Sequence, residues 1–209
     1  MGAIIKWLRD NILSLTFFVL FAGSLAAQAI AGFSDHNERL SAHGHPQIGY
    51  GDYLTTGDFL DSIFVNTQAA VLQLACLILF SEAFSQKGAS HSRKPGHHSG
   101  KKKREHRSWL YRNSLSIAFV LMFVGSIAGH IVFGASAYNE TRAMTGSPPI
   151  TVAQYLASAD FWFKATQTWQ AEFFGIGAFI VLSIFLRQEG SAESKPVDSK
   201  DDDTGETNR

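Results

Sequence analysis

The hydrophobic positions of this chain are concentrated in four long stretches that polar segments separate. Charged residues are absent from positions 11–34, 62–81 and 113–139, and each of these ranges is rich in Leu, Ile, Val, Phe and Ala. A helix needs about 20 mostly apolar residues to cross a bilayer core of about 30 Å. These three ranges therefore predict three membrane-spanning helices.

The chain also repeats itself with a shift of 102 residues. Positions 7–88 align without a gap on positions 109–190, and about three positions in ten are identical. A fixed period of this kind indicates a duplicated structural unit. Each unit holds two predicted spans, so both units enter the membrane with the same orientation, as in parallel repeats.

The fourth apolar stretch is short, because only positions 173–186 lie uncharged between Glu172 and Arg187. At about 1.5 Å per residue they form about 21 Å of helix, which is less than the bilayer core. The repeat nevertheless requires a span here, because the stretch aligns with the second apolar range. We therefore expect Glu172 to lie inside the membrane or deep in its outer interface.

The predicted fold is an all-α membrane protein with four transmembrane helices from two parallel tandem repeats. The first repeat occupies residues 1–84 and the second occupies 109–187. A basic linker rich in His and Lys, 85–108, joins them, and an acidic tail, 188–209, is expected to be disordered. The four spans are predicted at about 11–33, 60–84, 113–135 and 163–186.

Two interpretations of the N-terminal segment compete. Lys6 and Arg9, followed by apolar residues and Ala27-Gln28-Ala29, are typical of a secretory signal. The corresponding segment of the second unit, 116–134, carries the same Gly-Ser-x-Ala pattern deep in the chain, where no signal acts. We therefore expect a retained helix rather than a cleaved signal.

The charges of the connecting segments predict the orientation. Eight Lys or Arg and one acidic residue lie in 85–108, whereas 33–61 carries five acidic residues and one Arg. Basic residues collect on the cytoplasmic side of a membrane. The linker and both termini are therefore expected in the cytoplasm, with the loops 33–57 and 135–159 outside.

The two outer loops carry the most closely repeated motifs. Asn-Glu, Gly-x-Pro-x-Ile and Tyr-Leu-x-x-x-Asp-Phe begin at Asn37, Gly44 and Tyr53, and each recurs 102 positions later. Gly and Pro set turns, and Asp58 and Asp160 would lie in or beside the first turn of the next long helix. A structural lid and a binding loop both fit these motifs, and the capping signals favour the lid.

Polar side chains inside the predicted spans are the candidate functional residues. Ser24, Gln28 and Gly32 form a stripe that is expected to face the interior of the helix bundle rather than lipid, and corresponding residues recur in the second unit. Intramembrane ionisable residues are functional candidates by default, and a pair between His130 and Glu172 would serve either a function or helix association. The full set comprises Gln28, Gln68, His130, Gln170 and Glu172, with Ser126 and Gly134 completing the second stripe.

Small residues at a spacing of four lie in the first helix of each unit. Gly125-x-x-x-Gly129 occurs in the second unit and Gly23-x-x-x-Ala27 in the first. Such spacing lets helix backbones approach closely. The general tolerance of membrane helices for Gly explains these residues equally well.

The linker offers a candidate lipid contact. Clustered basic residues beside a span favour anionic lipid headgroups, whereas the histidines of the linker lack a fixed metal-ligand geometry. The sequence carries no phosphate-binding loop, nucleophile elbow or paired-His metal motif, so no cofactor, metal or nucleic-acid partner is expected. The basic residues are Lys101, Lys102, Lys103 and Arg104.

Together these motifs resemble a family of uncharacterised bacterial integral membrane proteins, a domain of unknown function. The resemblance covers 7–90 and 109–191 and includes Trp-x-x-x-Asn and Thr-Trp-Gln-Ala-Glu-Phe, which starts at Thr168. It implies a bacterial inner-membrane location but no activity, substrate or site. The first unit departs at Thr67-Gln68-Ala69-Ala70, which lacks the Trp and the Glu. Any role that depends on the Glu therefore falls to the second unit.

Three classes of function remain open. A scaffold-like membrane protein would hold lipids or partners, and a transporter would use the polar stripes as a pathway. Four short helices enclose little volume, so transport would require a homo-oligomer, and the scaffold is favoured. An intramembrane enzyme with His130 and Glu172 as acid and base is the remote alternative, because no nucleophile or metal set accompanies them.

Overall fold

The computed structural model describes residues 2–96 and 108–205 of the chain. Within these residues the regular elements are all helices, and no strand occurs. The helices in chain order are α1 (Gly2–Asp10), α2 (Ile12–Ala42), α3 (Tyr50–Tyr53), α4 (Gly57–Ala83), α5 (Trp109–Arg112), α6 (Ser114–Met144), α7 (Val152–Leu156) and α8 (Ala159–Phe185).

Four of these helices, α2, α4, α6 and α8, are long and apolar enough to cross a membrane. The 27 residues of α4 and α8 extend about 40 Å, and the 31 residues of α2 and α6 about 46 Å, at 1.5 Å per residue. Each exceeds the bilayer core of about 30 Å. The short fourth stretch is thus part of a full-length helix, as predicted, and Glu172 lies close to its middle.

Helices α2 and α6 continue past their predicted ends, so the outer loops are shorter than the sequence pattern indicates. In α2 the added turns contain an ion pair between Asp35 Oδ2 and Arg39 Nε at 3.0 Å, one turn apart. His36, Asn37 and Leu40 are buried on one face. Pairs at this spacing and a buried face both stabilise helix beyond the purely apolar stretch.

The repeated Gly-x-Pro motif ends both helices. Gly44 has φ of +74° and Gly146 has φ of +68°, a conformation that favours glycine. The next amides, of His45 and Ser147, donate to carbonyls five residues back at 2.9 and 2.8 Å. This pattern is the Schellman termination of an α-helix, and the Gly of the motif therefore acts as a helix stop.

The repeated Asn of the outer loops closes each loop through two hydrogen bonds. Asn139 Nδ2 donates to the carbonyl of Ile150 at 2.9 Å, and the amide of Ile150 donates to Asn139 Oδ1 at 2.8 Å. Asn37 holds Ile48 in the same way, at 3.1 and 2.9 Å. The repeated Asn and the Ile that ends the Gly-x-Pro-x-Ile motif therefore close each loop.

We expect Asn139→Ala to destabilise the protein by about 1–2 kcal/mol, because it leaves both polar backbone groups of Ile150 unpaired. Amide hydrogen exchange gives the sharper readout: exchange at Ile150 should accelerate while exchange at Ile48 stays unchanged. Asn37→Ala should produce the opposite pattern and serves as the matched control. Equal responses of both amides to either variant would contradict the assignment of one Asn to each loop.

The repeated Trp-x-x-x-Asn motif marks a break between helices. Asn11 Nδ2 donates to the carbonyl of Trp7, and Asn113 Nδ2 donates to the carbonyl of Trp109, both at 2.8 Å. Each Asn side chain donates to a carbonyl one turn back at the end of the short helix, and the Trp109 carbonyl also accepts from the backbone amide of Asn113 at 3.2 Å. The motif thus separates α1 from α2 and α5 from α6.

The chain divides into two compact units. The first contains Met1–Asp61 with Phe133–Thr151, and the second contains Ser62–Val132 with Val152–Arg209. Both units therefore combine segments from the two halves of the sequence repeat.

Residues 188–205 form hydrogen bonds within the second compact unit. The amide of Gly205 donates to the Ala89 carbonyl at 3.1 Å, and the amide of Gly88 donates to Thr204 Oγ1 at 3.2 Å. Lys195 Nζ donates to the Lys200 and Asp201 carbonyls, and burial lowers the pKa of this ammonium. The low hydrophobicity of the tail is offset because its polar groups find partners in 86–92.

Candidate functional site

The central polar group of the second unit is a side-chain pair between two membrane-spanning helices. Gln68 Nε2 of α4 lies 2.7 Å from His130 Nδ1 of α6. Both side chains are fully buried, with 0% of their surface exposed. With the Gln amide as donor, Nδ1 accepts and the ring proton of His130 lies on Nε2.

Aromatic rings enclose this pair. The ring of His130 stacks on Phe161 with centroids 4.7 Å apart, and Tyr155 approaches it edge-on at 6.5 Å. Tyr155 and Phe161 are themselves fully buried. The imidazole is thus positioned by packing on one side and by the Gln68 amide on the other.

An ion pair lies next to the aromatic rings. Asp160 Oδ2 is 3.0 Å from Lys164 Nζ, one turn along α8. The same oxygen accepts a hydrogen bond from the Tyr155 hydroxyl at 3.3 Å. Asp160 lies in the first turn of α8, as predicted, where a carboxylate complements the helix dipole.

A glycine brings α4 and α6 together at the level of this pair. A Cβ on Gly129 would overlap the ring of Phe64, at 2.5 Å from its Cε1. Phe64 lies one turn before Gln68, and Gly129 directly precedes His130 in the chain. The close approach at Gly129 therefore sets the register in which Gln68 meets His130, whereas Gly125 has no neighbour within 4 Å of its Cβ position.

Gln68 keeps one polar atom without a partner. Its Oε1 is buried and accepts no hydrogen bond from the part of the chain that the structure describes. An unpaired buried carbonyl costs about 1–3 kcal/mol. In the described structure, Gln68 therefore uses its amide nitrogen in the pair and leaves its amide oxygen without a hydrogen bond.

The expected pair between His130 and Glu172 is not formed. His130 stacks on Phe161, and Glu172 lies eleven residues further along the same helix α8, about 16 Å away. Glu172 is half-buried. The expectation was wrong because equal depth within two helices does not follow from their sequence periods.

The polar stripes divide between buried and exposed positions. Ser126, His130 and Gly134 of the second sequence repeat are buried. The first stripe is not: Ser24 is exposed and Gln28 is half-buried, and Gln170 is also exposed. The four basic linker residues, Lys101, Lys102, Lys103 and Arg104, lie outside the described residues.

A second polar cluster lies in the first unit, where α2 meets the start of α4. Asp58 Oδ2 is 3.0 Å from His36 Nδ1 and also pairs with the guanidinium of Arg39. His36 is buried and its ring lies 5.5 Å from that of Tyr53. Burial raises the pKa of Tyr53, and the charge of Asp58 raises it further.

Sequence reasoning missed His36 and Arg39 as members of this cluster. A signal for them exists, because the corresponding positions of the second sequence repeat hold Tyr138 and Thr141 instead. The cluster is therefore specific to the first sequence repeat, whereas the loop closures occur in both repeats. Asp58 itself was expected only as a partner of the helix dipole.

The N-terminus of α4 is capped by a carboxylate from α6. Glu140 Oε1 accepts from the amide of Gly57 at 2.7 Å, and Oε2 accepts from the amide of Asp58 at 3.3 Å. Such a carboxylate satisfies open amides and complements the helix dipole. Among residues 2–96 and 108–205, no group of three His, Cys, Asp or Glu side chains is placed to hold a metal ion.

These features define a helical protein with four helices long and apolar enough for a multi-pass membrane protein. A model of a domain of unknown function, DUF6766, matches residues 4–206, and the chain belongs to this family. The resemblance to an uncharacterised family is thereby confirmed. No curated protein and no solved structure matches the chain significantly.

Proposed function

We propose that this protein is a structural, scaffold-like component of the bacterial inner membrane. It consists of two parallel tandem repeats with both termini in the cytoplasm. The basic linker contacts anionic lipid headgroups through Lys101, Lys102, Lys103 and Arg104, because clustered cations beside a span are attracted to such lipids.

The observation that supports this proposal is the bonding of the polar residues that both sequence repeats share. At positions 102 apart, Asn11 and Asn113 end short helices, and Asn37 and Asn139 close loops. Polar side chains that belong to a transport pathway would need to exchange partners with a substrate. These side chains instead bond to backbone groups of their own fold, which supports a structural role.

Transport by a homo-oligomer is the second candidate, and Glu172 is the observation that favours it. This residue is half-buried near the middle of α8, and the exposed Gln170 lies two positions before it. An intramembrane carboxylate is costly unless paired or hydrated and marks ion pathways in many transporters. Four helices enclose little volume, so such a pathway would require several copies of the chain.

Flux measurements on purified protein in liposomes distinguish the two functions. We expect vesicles that contain the protein to show the same leak of protons, Na⁺, K⁺ and Cl⁻ as vesicles without it. A lipid-retention measurement tests the linker contact. It compares wild type with a variant that carries Gln at positions 101–104, each in vesicles with and without anionic lipid.

The variant Glu172→Gln is the matched test of the transport alternative. Selective permeation by wild type that Glu172→Gln abolishes would overturn the scaffold proposal. Glu189→Gln serves as the control, because it makes the same charge change at an exposed position beyond the end of α8.

A further inference from the structure

A groove of about 430 Å³ lies in the second unit, between the C-terminal parts of α4 and α8. Its volume falls in the range of about 300–1,000 Å³ that ligand pockets occupy. Segment 84–92, which follows α4, covers one end of the groove. None of the residues described above as part of the polar clusters lines it.

Among the described residues, the wall of the groove is mostly apolar and contains no Asp, Glu, Lys or Arg. Large hydrophobic side chains dominate it, and the small surface of Gly177 leaves space on the α8 side. A wall of this kind suits an uncharged hydrocarbon chain and disfavours an ionic solute. The principal hydrophobic residues are Leu77, Phe80, Phe173, Ile176, Phe179 and Ile180.

Polar and basic groups gather at the covered end. Ser85 and His91 line the groove there, and the ring of His91 lies 5.5 Å from that of Phe179. Arg93 follows this segment and donates to the carbonyl of Ser81, itself a lining residue, at 3.3 Å. A guanidinium has five N–H donors, so this bond leaves others for a phosphate.

The order of chemistry along the groove is therefore apolar within α4 and α8, polar at segment 84–92, where His91 Nε2 pairs with the carboxylate of Glu193, and basic at Arg93 directly after it. A membrane phospholipid has the same order, from acyl chain through ester to phosphate. The two flanking helices are each long enough to cross a membrane, where such chains are the abundant apolar ligand. We propose that the groove is a binding site for one acyl chain of an anionic phospholipid, whose phosphate contacts Arg93.

The test uses the full chain in nanodiscs that contain phosphatidylglycerol with a photoactivatable diazirine in one acyl chain. After illumination, peptide mass spectrometry locates the crosslinks. We expect crosslinks concentrated on groove residues, including Cys76 and Leu77. Labelling spread evenly over the exposed faces of all four long helices would show ordinary surrounding lipid and overturn the proposal.

Two glycines of α8 provide matched variants. Gly177 lines the groove and Gly175 does not, and a Cβ at either would meet no atom within 4 Å. Gly177→Leu should therefore fill the groove and remove most of the crosslinking at Cys76, while Gly175→Leu should leave it unchanged. Equal crosslinking in the two variants, at unchanged thermal stability, would contradict the site.

Arg93→Gln tests the headgroup contact separately. We expect wild type to crosslink phosphatidylglycerol in preference to phosphatidylcholine that carries the same diazirine chain. Arg93→Gln should remove this preference, while crosslinking to both lipids continues. Since both lipids share the phosphate, this arm asks whether net anionic charge matters. An unchanged preference would overturn the role of Arg93.

Discussion

Replacement of His130 with alanine is expected to destabilise the protein by about 3 kcal/mol. The side chain is fully buried and stacks on Phe161, so its removal leaves a cavity that the rigid aromatic neighbours cannot fill. The lost hydrogen bond to Gln68 contributes less, because bonds between membrane helices average about 0.6 kcal/mol. Steric trapping of the reversibly unfolding protein in mild detergent or bicelles measures the difference in the free energy of unfolding.

A double variant separates the packing of the pair from its polarity. His130→Phe together with Gln68→Leu keeps the volume and removes both polar groups, and we expect nearly unchanged stability. Gln68→Leu alone should cost about 1 kcal/mol, because it removes the amide that donates to the buried Nδ1 of His130. Gln170→Leu, at the corresponding exposed position, should have little effect.

The same double variant distinguishes a structural pair from a functional one. If the pair only joins α4 to α6, the apolar replacement keeps both the fold and the phenotype of the cell. A stable double variant that loses the phenotype would show that the polarity itself is required. A stability loss as large as that of His130→Ala would contradict the packing explanation.

The sequence pattern predicts the four long helices and the turns at the Gly-x-Pro motifs, because these depend on local composition, but it places the ends of α2 and α6 too early. It also predicts that Ser126 and His130 share a buried face, since periodicity within one helix determines a face. It does not predict the partner of His130. That partner depends on how far α4 slides along α6, which the contact between Gly129 and Phe64 decides.

The cluster of His36, Arg39 and Asp58 was missed for a related reason. These residues lie beyond the apolar stretch of α2, where charge segregation predicts a loop, and the cluster exists only because the helix continues to Ala42. The hydrogen bonds between the tail and 86–92 likewise join segments that are distant in sequence, so no local pattern indicates them. Local patterns therefore predict elements, while contacts between distant segments need the structure.

Replacement of Gly57 with alanine is expected to destabilise the protein by about 3 kcal/mol or more, the upper range for forcing an extra methyl group into a packed site. A Cβ here would lie 2.6 Å from Ser136 Cβ and 2.8 Å from the Ser136 carbonyl carbon. These are atoms of the α6 backbone or directly attached to it, so they cannot rotate away. The shift would also lengthen the bonds from Glu140 that cap α4.

Gly57→Ala is expected to change stability in the direction opposite to the usual effect of alanine in a helix. Alanine normally stabilises a helical position relative to glycine, by up to about 1 kcal/mol. Gly51→Ala is the matched control, since Gly51 is also helical and has no atom within 4 Å of its Cβ position. Thermal unfolding should therefore move in opposite directions for the two variants. A stabilising Gly57→Ala would mean that α4 does not approach residues 136 and 137, and the Glu140 cap would then have no geometric basis.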